Sequence, residues 1–386
     1  MTKLVRFLAV AIVPILILCE TGCNSPARQA IVNRTTNNQN TALNKASDGE
    51  WAIDLVRGLP DGIKQRRIRC NKEGLCWVWD ENSVWIGDRA NSWREFYSVS
   101  SGENNGGRID SIYLESAQIG WVVQNHQLYK TEDGGKSLRR FSVPGLEGDP
   151  SSTVTDAFFV NGSRGWIVGG KFEPLRKNDP LINTETTRGQ IRTAFIIETA
   201  DGGASWKFED LPRLIGSFEE INFWESGIGV ASSRNDLVFT NDGGKTWIGM
   251  AKYFPDIDSE RGRFESCFFL DQNRGWLLFT GSEFAALFTD NGGKSWTRTS
   301  WKIESKSNDT SSFSPPVRFV FVDNWHGLFV YNHTNGGELF KTSDGGKIWK
   351  LVTVAGLTDL SFTDALYESK GRALLVSNKG IYSFGL

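Results

Sequence analysis

The chain has 386 residues, a formal net charge of −2, 15 Trp and 2 Met. So small a net charge creates no general field that attracts nucleic acid, which excludes nucleic-acid binding through an overall basic surface. Abundant Trp with scarce Met favours rigid aromatic packing over an adaptable, Met-rich binding groove.

Residues 1–23 are typical of an export signal. Positive residues precede the apolar run "FLAVAIVPILILC", and the segment ends in Thr-Gly-Cys23. This resembles a bacterial lipoprotein signal, which implies that Cys23 carries lipid. Glu20 departs from that pattern, so an uncleaved or an ordinarily cleaved export signal stays open. Each alternative places the folded part outside the cytoplasm. The lipoprotein alternative anchors it to a bacterial membrane in the periplasm, the thylakoid lumen or at the cell surface.

Residues 24–48 are rich in Asn and Thr and show no hydrophobic periodicity. This composition predicts a flexible tether with a root-mean-square span of roughly 25–30 Å.

Residues 49–386 repeat one eight-residue motif. The clear copies are "TEDGGKSL" from Thr131, "TADGGASW" from Thr199, "TNDGGKTW" from Thr240, "TDNGGKSW" from Thr289 and "TSDGGKIW" from Thr342. Their shared acidic or amide residues are Asp133, Asp201, Asp242, Asn291 and Asp344, and their Trp residues are Trp206, Trp247, Trp296 and Trp349. A worn copy runs from Asp88 to Trp93.

Each copy belongs to a longer unit with four strand patterns. An aromatic strand and a turn lead to "GW" and a second strand, a third strand enters the motif, and a fourth leaves it. Units start near Arg66, Asp110, Asp156, Glu220, Ser266, Arg318 and Asp359. The last unit has only three strands, and "EWAIDLVRGLP" from Glu50 resembles the missing fourth. We therefore predict an all-β chain with no long helix: a seven-bladed β-propeller of four-stranded antiparallel blades, closed by the N-terminal strand.

The motif itself is interpreted as a structural turn. Its Asp accepts backbone N–H bonds, its glycines provide positive φ, and its Trp covers the blade. The pattern resembles the Asp-box (BNR) repeat of β-propellers. Together with "GW" and the lipoprotein-like leader, it is similar to the photosystem II assembly and stability factors. That resemblance implies a non-enzymatic scaffold that binds newly made reaction-centre protein and is tethered by its N-terminal lipid.

Two other function classes stay open: a sialidase-like or other glycoside hydrolase, and a glycan- or cell-surface-binding module. No segment like the "FRIP" motif of sialidases precedes the first motif, and one sequence cannot show a carboxylate pair at hydrolase separation. Three histidines, His126, His326 and His333, fall in different units, so neither a metal nor another cofactor is expected. We expect a monomer.

A partner is expected on the propeller face opposite the motif turns, where irregular segments concentrate. They include the insert "KFEPLRKNDPLINTETTRGQIR" from Lys171 and the loops from Ala251, Lys302 and Asn332. The seven unit starts predict a mostly acidic ring in the channel, interrupted by two arginines. Mutual salt bridging within the channel is the alternative. The predicted partner-binding residues are Arg66, Arg67, Arg69, Arg318, Lys171, Arg176 and Lys177.

Two cysteines, Cys70 and Cys76, flank "NKEGL" in a predicted hairpin. In an exported protein they could form a disulfide, and two unlinked thiols are the alternative. Cys267 is expected to be a small buried apolar residue.

Overall fold

The computed structural model describes residues 52–57 and 67–385, with gaps at 72, 89–92, 100–106, 144, 147–151, 175–189, 210, 212–213, 215, 225–226, 234–235, 251–262, 281–283, 302–317, 334–335, 353–359 and 370. The predicted leader and tether, with Cys23, lie outside the described residues. Within the described part, no helix is long and apolar enough to cross a membrane.

The described residues form an all-β chain of seven four-stranded antiparallel sheets arranged as the blades of a ring. The first strand is β1 (Ala52–Arg57). Blade 1 contains β2 (Arg67–Cys70), β3 (Leu75–Trp79), β4 (Ser83–Asp88) and β5 (Arg94–Ser98). Blade 2 contains β6 (Ile109–Leu114), β7 (Gly120–Gln124), β8 (Gln127–Thr131) and β9 (Arg139–Arg140). Blade 3 contains β10 (Thr153–Phe159), β11 (Gly165–Pro174), β12 (Gln190–Thr199) and β13 (Lys207–Phe208).

The remaining blades follow the same order. Blade 4 contains β14 (Glu220–Phe223), β15 (Gly229–Ser232), β16 (Leu237–Thr240) and β17 (Ile248–Gly249). Blade 5 contains β18 (Arg263–Phe269), β19 (Gly275–Thr280), β20 (Phe284–Thr289) and β21 (Thr297–Trp301). Blade 6 contains β22 (Arg318–Phe321), β23 (Gly327–His333), β24 (Gly336–Thr342) and β25 (Lys350–Leu351). Blade 7 contains β26 (Phe362–Ser369), β27 (Arg372–Ser377), β28 (Gly380–Gly385) and β1.

The ring closes as the sequence predicts. β1 pairs antiparallel with β28, with Ala52 opposite Gly385 and Ile53 opposite Phe384. The N-terminal strand thus covers the edge that blade 7 would otherwise expose.

The "GW" pattern is explained by packing within and between blades. Gly165 lies opposite Phe159, and a Cβ at Gly165 would lie 2.1 Å from the Phe159 ring. The Trp of the preceding blade stacks on that same ring: the centroids of Trp121 and Phe159 are 4.7 Å apart. The same stacking joins Trp166 to Phe223 at 3.7 Å and Trp276 to Phe321 at 3.8 Å. These buried aromatic stacks hold successive blades together.

The repeated motif forms a self-contained turn. In blade 2, Asp133 accepts bonds from the Ser137 N–H at 3.0 Å and the Ser137 hydroxyl at 2.6 Å. The Gly135 N–H donates to Thr131 Oγ1 at 2.9 Å, and Gly134 and Gly135 have φ of 77° and 85°. Asp201, Asp242, Asn291 and Asp344 accept the equivalent main-chain bond. The Trp206, Trp247, Trp296 and Trp349 rings contact the Phe ring opposite the glycine of their own blade. The side chain of Asp88 lies outside the described residues.

The motif turns define one face of the ring. In five blades a main-chain bond ties the motif turn to the turn between the first and second strands: Gly134–Gln118, Gly202–Ser163, Gly243–Gly227, Gly292–Asn273 and Gly345–Trp325. We call this end of the blades the boxed face. The opposite end, where the chain passes between blades and between second and third strands, is the loop face.

Part of the expected loop-face irregularity is regular structure. β11 continues to Pro174 and β12 begins at Gln190, so both ends of the insert from Lys171 are strand. The segment from Asn332 likewise belongs to the hairpin of β23 and β24. Both insertions lengthen existing strands because their flanking residues continue the antiparallel register.

Candidate functional site

The first strands of the blades carry a layer of polar residues that share one register. Each pairs with the residue two positions beyond the "GW" Trp or its equivalent: Arg67–Trp79, Ser111–Val123, Asp156–Val168, Glu220–Ser232, Ser266–Leu278, Arg318–Val330 and Asp364–Val376. We call these seven first-strand residues the channel ring. Arg67, Glu220 and Arg318 are each the first residue of their strand, so the ring lies toward the loop face.

The channel ring corrects the predicted alignment. Asp110 does not belong to it, because Leu114, not Tyr113, lies opposite the "GW" glycine in blade 2. The Asp110 carboxylate instead accepts bonds from the Arg108 guanidinium and the His126 N–H.

In blades 1 and 7 the register assigns Arg67 and Asp364 to the ring. The predicted positions there, Arg66 and Asp359, lie outside the described residues.

Asp156 is the centre of one cluster in the channel. Its carboxylate lies 2.8 Å from Arg69 Nη2, and the two side chains are 0% and 11% exposed. It also accepts bonds from the Ser111 hydroxyl, from its neighbour's N–H at Ala157 and from the Ile221 N–H. One buried carboxylate thereby connects blades 1, 2, 3 and 4.

Arg318 is the centre of a second cluster. Its Nη2 lies 3.1 Å from Glu220 Oε2, and its Nε lies 3.4 Å from Asp364 Oδ1 without the geometry of a hydrogen bond. Asp364 accepts the Ile68 N–H of blade 1 at 3.0 Å. This cluster joins blade 6 to blades 4, 7 and 1.

The charged groups in the channel shift one another's pKa values. Burial by itself would raise the pKa of Glu220, but Arg318, Arg67 and Arg69 outweigh it and lower that pKa to about 2. Burial raises the pKa of Asp364, against the opposing effect of Arg318. Burial also raises the pKa of the Cys267 thiol, and the Glu220 carboxylate adds to this effect.

With the corrected register the channel ring still contains more carboxylates than arginines: Asp156, Glu220 and Asp364 against Arg67 and Arg318. The channel ring and Arg69 together contain three arginines and three carboxylates. Arg69 and Arg318 are both in ion pairs, which is the mutual salt bridging expected as the alternative. Arg67 differs from them: it is exposed, acts on Glu220 through space, and makes no ion pair within 4.0 Å in the described part of the chain.

The other predicted binding residues fall into two groups. Lys171 lies on β11, where its Nζ is 3.1 Å from Glu173 Oε1 and 4.6 Å from the Phe208 ring centroid. It therefore belongs to blade 3 and not to the arginine cluster. Arg66, Arg176 and Lys177 lie outside the described residues.

Arg192 is a site residue that the sequence reasoning missed. It lies on β12 beside the exposed Phe172, with its guanidinium carbon 5.9 Å from that ring centroid. It donates to the Thr153 hydroxyl, and its buried Nε has no hydrogen-bond partner in the described structure. Burial lowers the pKa of Arg192. The sequence of the insert did not indicate Arg192 as a site residue, because only the extended β11–β12 pairing brings it beside Phe172 and Thr153.

The structure joins Cys70 and Cys76 in a disulfide across the first two strands of blade 1, with their Cα atoms 4.0 Å apart. Cys267 carries a free thiol.

No family model and no curated protein matches the chain. Solved structures do match it. YCF48 bound to D1 peptide has a TM-score of 0.58 and 17% identity, covering 89% of this chain and 99% of that one. YCF48 from Cyanidioschyzon merolae has a TM-score of 0.56 and 18% identity, covering 87% and 98%. An ancestral GH74 enzyme has a TM-score of 0.51 and 14% identity, covering 85% and 46%.

At these identities the likeness shows the fold alone. The fold is shared with YCF48, and an enzyme also shares it. Function must therefore be argued from the site.

Proposed function

We propose that the protein is a non-enzymatic scaffold that binds an extended segment of another protein on its loop face. Arg67 carries the proposal. It is an exposed guanidinium at the loop-face end of the channel, and it is not used by the ion pairs that occupy Arg69 and Arg318. An arginine in this state offers a planar set of donors to an incoming carboxylate or to backbone carbonyl groups.

Blade 3 adds a second contact region on the same face. β11 and β12 are ten residues long, and their extension carries the exposed Phe172 beside Arg192. An apolar ring next to a guanidinium that makes no ion pair with the described residues fits a peptide side chain and its adjacent main chain. Contacts of this kind determine orientation and association rate more than affinity.

The partner in this proposal is a photosystem II reaction-centre subunit. The support is the fold shared with YCF48, which was solved with a D1 peptide.

We extend the proposal to location: an exported protein, lipid-anchored at a bacterial membrane through Cys23, with residues 24–48 as tether. Mass spectrometry of the mature N-terminus tests the anchor, and an unmodified Cys23 or a mature end elsewhere would contradict it.

The alternatives lack a matching observation in the site. Of the described channel carboxylates, Asp156, Glu220 and Asp364 are all ion-paired or bonded to backbone N–H groups. A glycoside hydrolase needs one such group as a proton donor and a second as base or nucleophile. A glycan-binding module would have to bind a neutral glycan at the charged loop-face end of the channel.

The deciding experiment measures binding of a fluorescent D1 peptide by anisotropy. Wild type should bind, and Arg67→Glu should weaken binding at least about tenfold because it reverses a contact charge. Arg298→Glu, an exposed arginine on the outer strand β21, is the matched control and should bind normally. No D1 binding by wild type would contradict the partner assignment. Hydrolysis or retention of members of a glycan panel would then favour an enzyme or a glycan-binding module.

A further inference from the structure

The interface between blades 7 and 1, where the ring closes, is built differently from the other six interfaces between neighbouring blades. Two positions identify each interface: the Trp of "GW" or its equivalent in one blade, and the first-strand residue opposite the "GW" glycine or its equivalent in the next. Elsewhere these pairs are Trp77 and Leu114, Trp121 and Phe159, Trp166 and Phe223, Val230 and Phe269, Trp276 and Phe321, and Leu328 and Tyr367. Between blades 7 and 1 the pair is Leu374 and Cys70, so neither position holds an aromatic ring.

A disulfide takes the place of the missing ring. Cys76 occupies the position of the "GW" glycine in blade 1, and its register partner Cys70 occupies the position that is Phe159 in blade 3. The buried residues that blades 7 and 1 share are all aliphatic, with two indole rings only partly buried against them: Ile68, Val78, Leu374, Val376 and Ile381, bordered by Trp85 and Trp93. Stacked rings stabilise a contact beyond the burial of their area. This interface therefore has a covalent bond where the others have ring packing.

The interface between blades 3 and 4 is a matched comparison. There the Ile221 N–H of blade 4 donates to the Asp156 carboxylate of blade 3 at 2.9 Å. In the same way, the Ile68 N–H of blade 1 donates to the Asp364 carboxylate of blade 7 at 3.0 Å. Both donors directly follow a residue of the channel ring. The two interfaces thus share one polar bond and differ in what lies beside it: a ring stack at 3.7 Å in the first and the disulfide in the second.

We propose that the Cys70–Cys76 bond is a site of thiol–disulfide exchange with a dithiol reductant, and that its reduction loosens the interface between blades 7 and 1. Cys70 is partly exposed and Cys76 is 1% exposed, so the sulfur of Cys70 is the one that an incoming thiolate reaches. The attack forms a mixed disulfide with Cys70 and releases the sulfur of Cys76, which takes up a proton. The second thiol of the reductant then displaces Cys70, so the reductant leaves as a disulfide and the two cysteines gain two electrons and two protons.

Reduction acts on the strand that carries the exposed channel arginine. Cys70 is the last residue of β2, whose four residues begin at Arg67. The turn after β2 has bonds of its own, because the Asn71 N–H donates to the Leu75 carbonyl at 2.9 Å and Asn71 Nδ2 donates to the Glu115 carbonyl of blade 2 at 3.0 Å. The hairpin therefore keeps its turn when it is reduced. Two separate thiols then replace the cross-link beside the aliphatic cluster, and the contact with blade 7 opens more often.

Hydrogen exchange of the full chain, read by mass spectrometry, tests the proposal with the Ile68 amide as reporter and the Ile221 amide as matched control. The native protein is treated with dithiothreitol, and alkylation followed by peptide mapping measures reduction of Cys70 and Cys76. Both cysteines should be reduced while circular dichroism still shows the folded protein. The Ile68 amide should then exchange at least about tenfold faster than in the oxidised protein, whereas exchange at Ile221 should not change.

A variant separates loss of the cross-link from other effects of the reductant. Cys70→Phe/Cys76→Gly restores the pair found in blades 3 to 6 and should make exchange at Ile68 insensitive to dithiothreitol. A bond that resists dithiothreitol until the protein unfolds would overturn the proposal, and so would unchanged exchange at Ile68 in the reduced wild type. Equal acceleration at Ile68 and Ile221 would also contradict it, because reduction would then destabilise the whole ring. No peptide is used, so failure of D1 binding leaves these outcomes unaffected.

Discussion

The channel ring and the boxed turns belong to the same blades, yet they use polar side chains in opposite ways. A boxed turn bonds to itself: Asp133 binds Ser137, four residues away. Asp156 bonds to blades 1, 2 and 4, up to 87 residues away. Local bonds can be repeated in every unit, whereas bonds between blades need different partners around the ring. This explains why the turns repeat in sequence and the channel does not.

The comparison predicts that one channel carboxylate matters more to stability than one boxed carboxylate. Asp156→Ala leaves the nearly buried Arg69 without a counter-ion and two N–H groups without their acceptor. Breaking a buried pair in this way should lower the free energy of unfolding by about 3–5 kcal/mol. Urea unfolding measures the loss. The control is Asp290→Ala, an exposed residue next to a boxed turn, which should change stability by less than about 0.5 kcal/mol. Equal losses would contradict the distinction.

The pH dependence of stability should also come from the channel. The folded pKa of Glu220 is lowered from 4.5 to about 2, so its stabilising contribution is complete above about pH 4.5 and is lost as pH falls toward 2. The shift from 4.5 to about 2 corresponds to about 3 kcal/mol.

Glu220→Gln should be less stable at pH 7 and should lose less stability between pH 5 and pH 2.5 than wild type, as followed by urea unfolding. A wild-type acid slope in this variant would exclude Glu220 as its source.

Blade 1 has a disulfide between its first two strands. Cys70 and Cys76 close the turn between its first two strands, at the boxed face, while its own motif copy is worn. The closed loop is short, so Cys70→Ser/Cys76→Ser should cost on the order of 2 kcal/mol. Thermal unfolding with and without reductant measures this cost. If reductant lowers the wild-type melting temperature but not that of the variant, the bond forms in solution; no effect on wild type would contradict it.

The local pattern predicts more of this molecule than the long-range contacts do. The motif spacing and "WAIDLV" were sufficient for seven blades and for the pairing of β1 with β28. The channel alignment failed in blades 1, 2 and 7, where the register gives Arg67, Ser111 and Asp364. In blade 2 the reason is that Leu114 takes the place of an aromatic residue. Arg192 was missed because its neighbours come from other strands. A repeat specifies the bonds within a unit, and it contains no information about which blades exchange charges across the ring.

The smallest effect should come from a boxed carboxylate. Asp242→Ala removes the acceptor of the Thr246 N–H at 3.0 Å and the Thr246 hydroxyl at 2.6 Å, but both groups are exposed and can turn to water. The expected cost is about 1–2 kcal/mol, below that of Asp156→Ala. Asn291→Asp restores the residue of the other copies and should be nearly neutral. Binding of the D1 peptide should be unchanged in the folded fraction of both variants. A folded Asp242→Ala protein that no longer bound the peptide would place the binding surface on the boxed face.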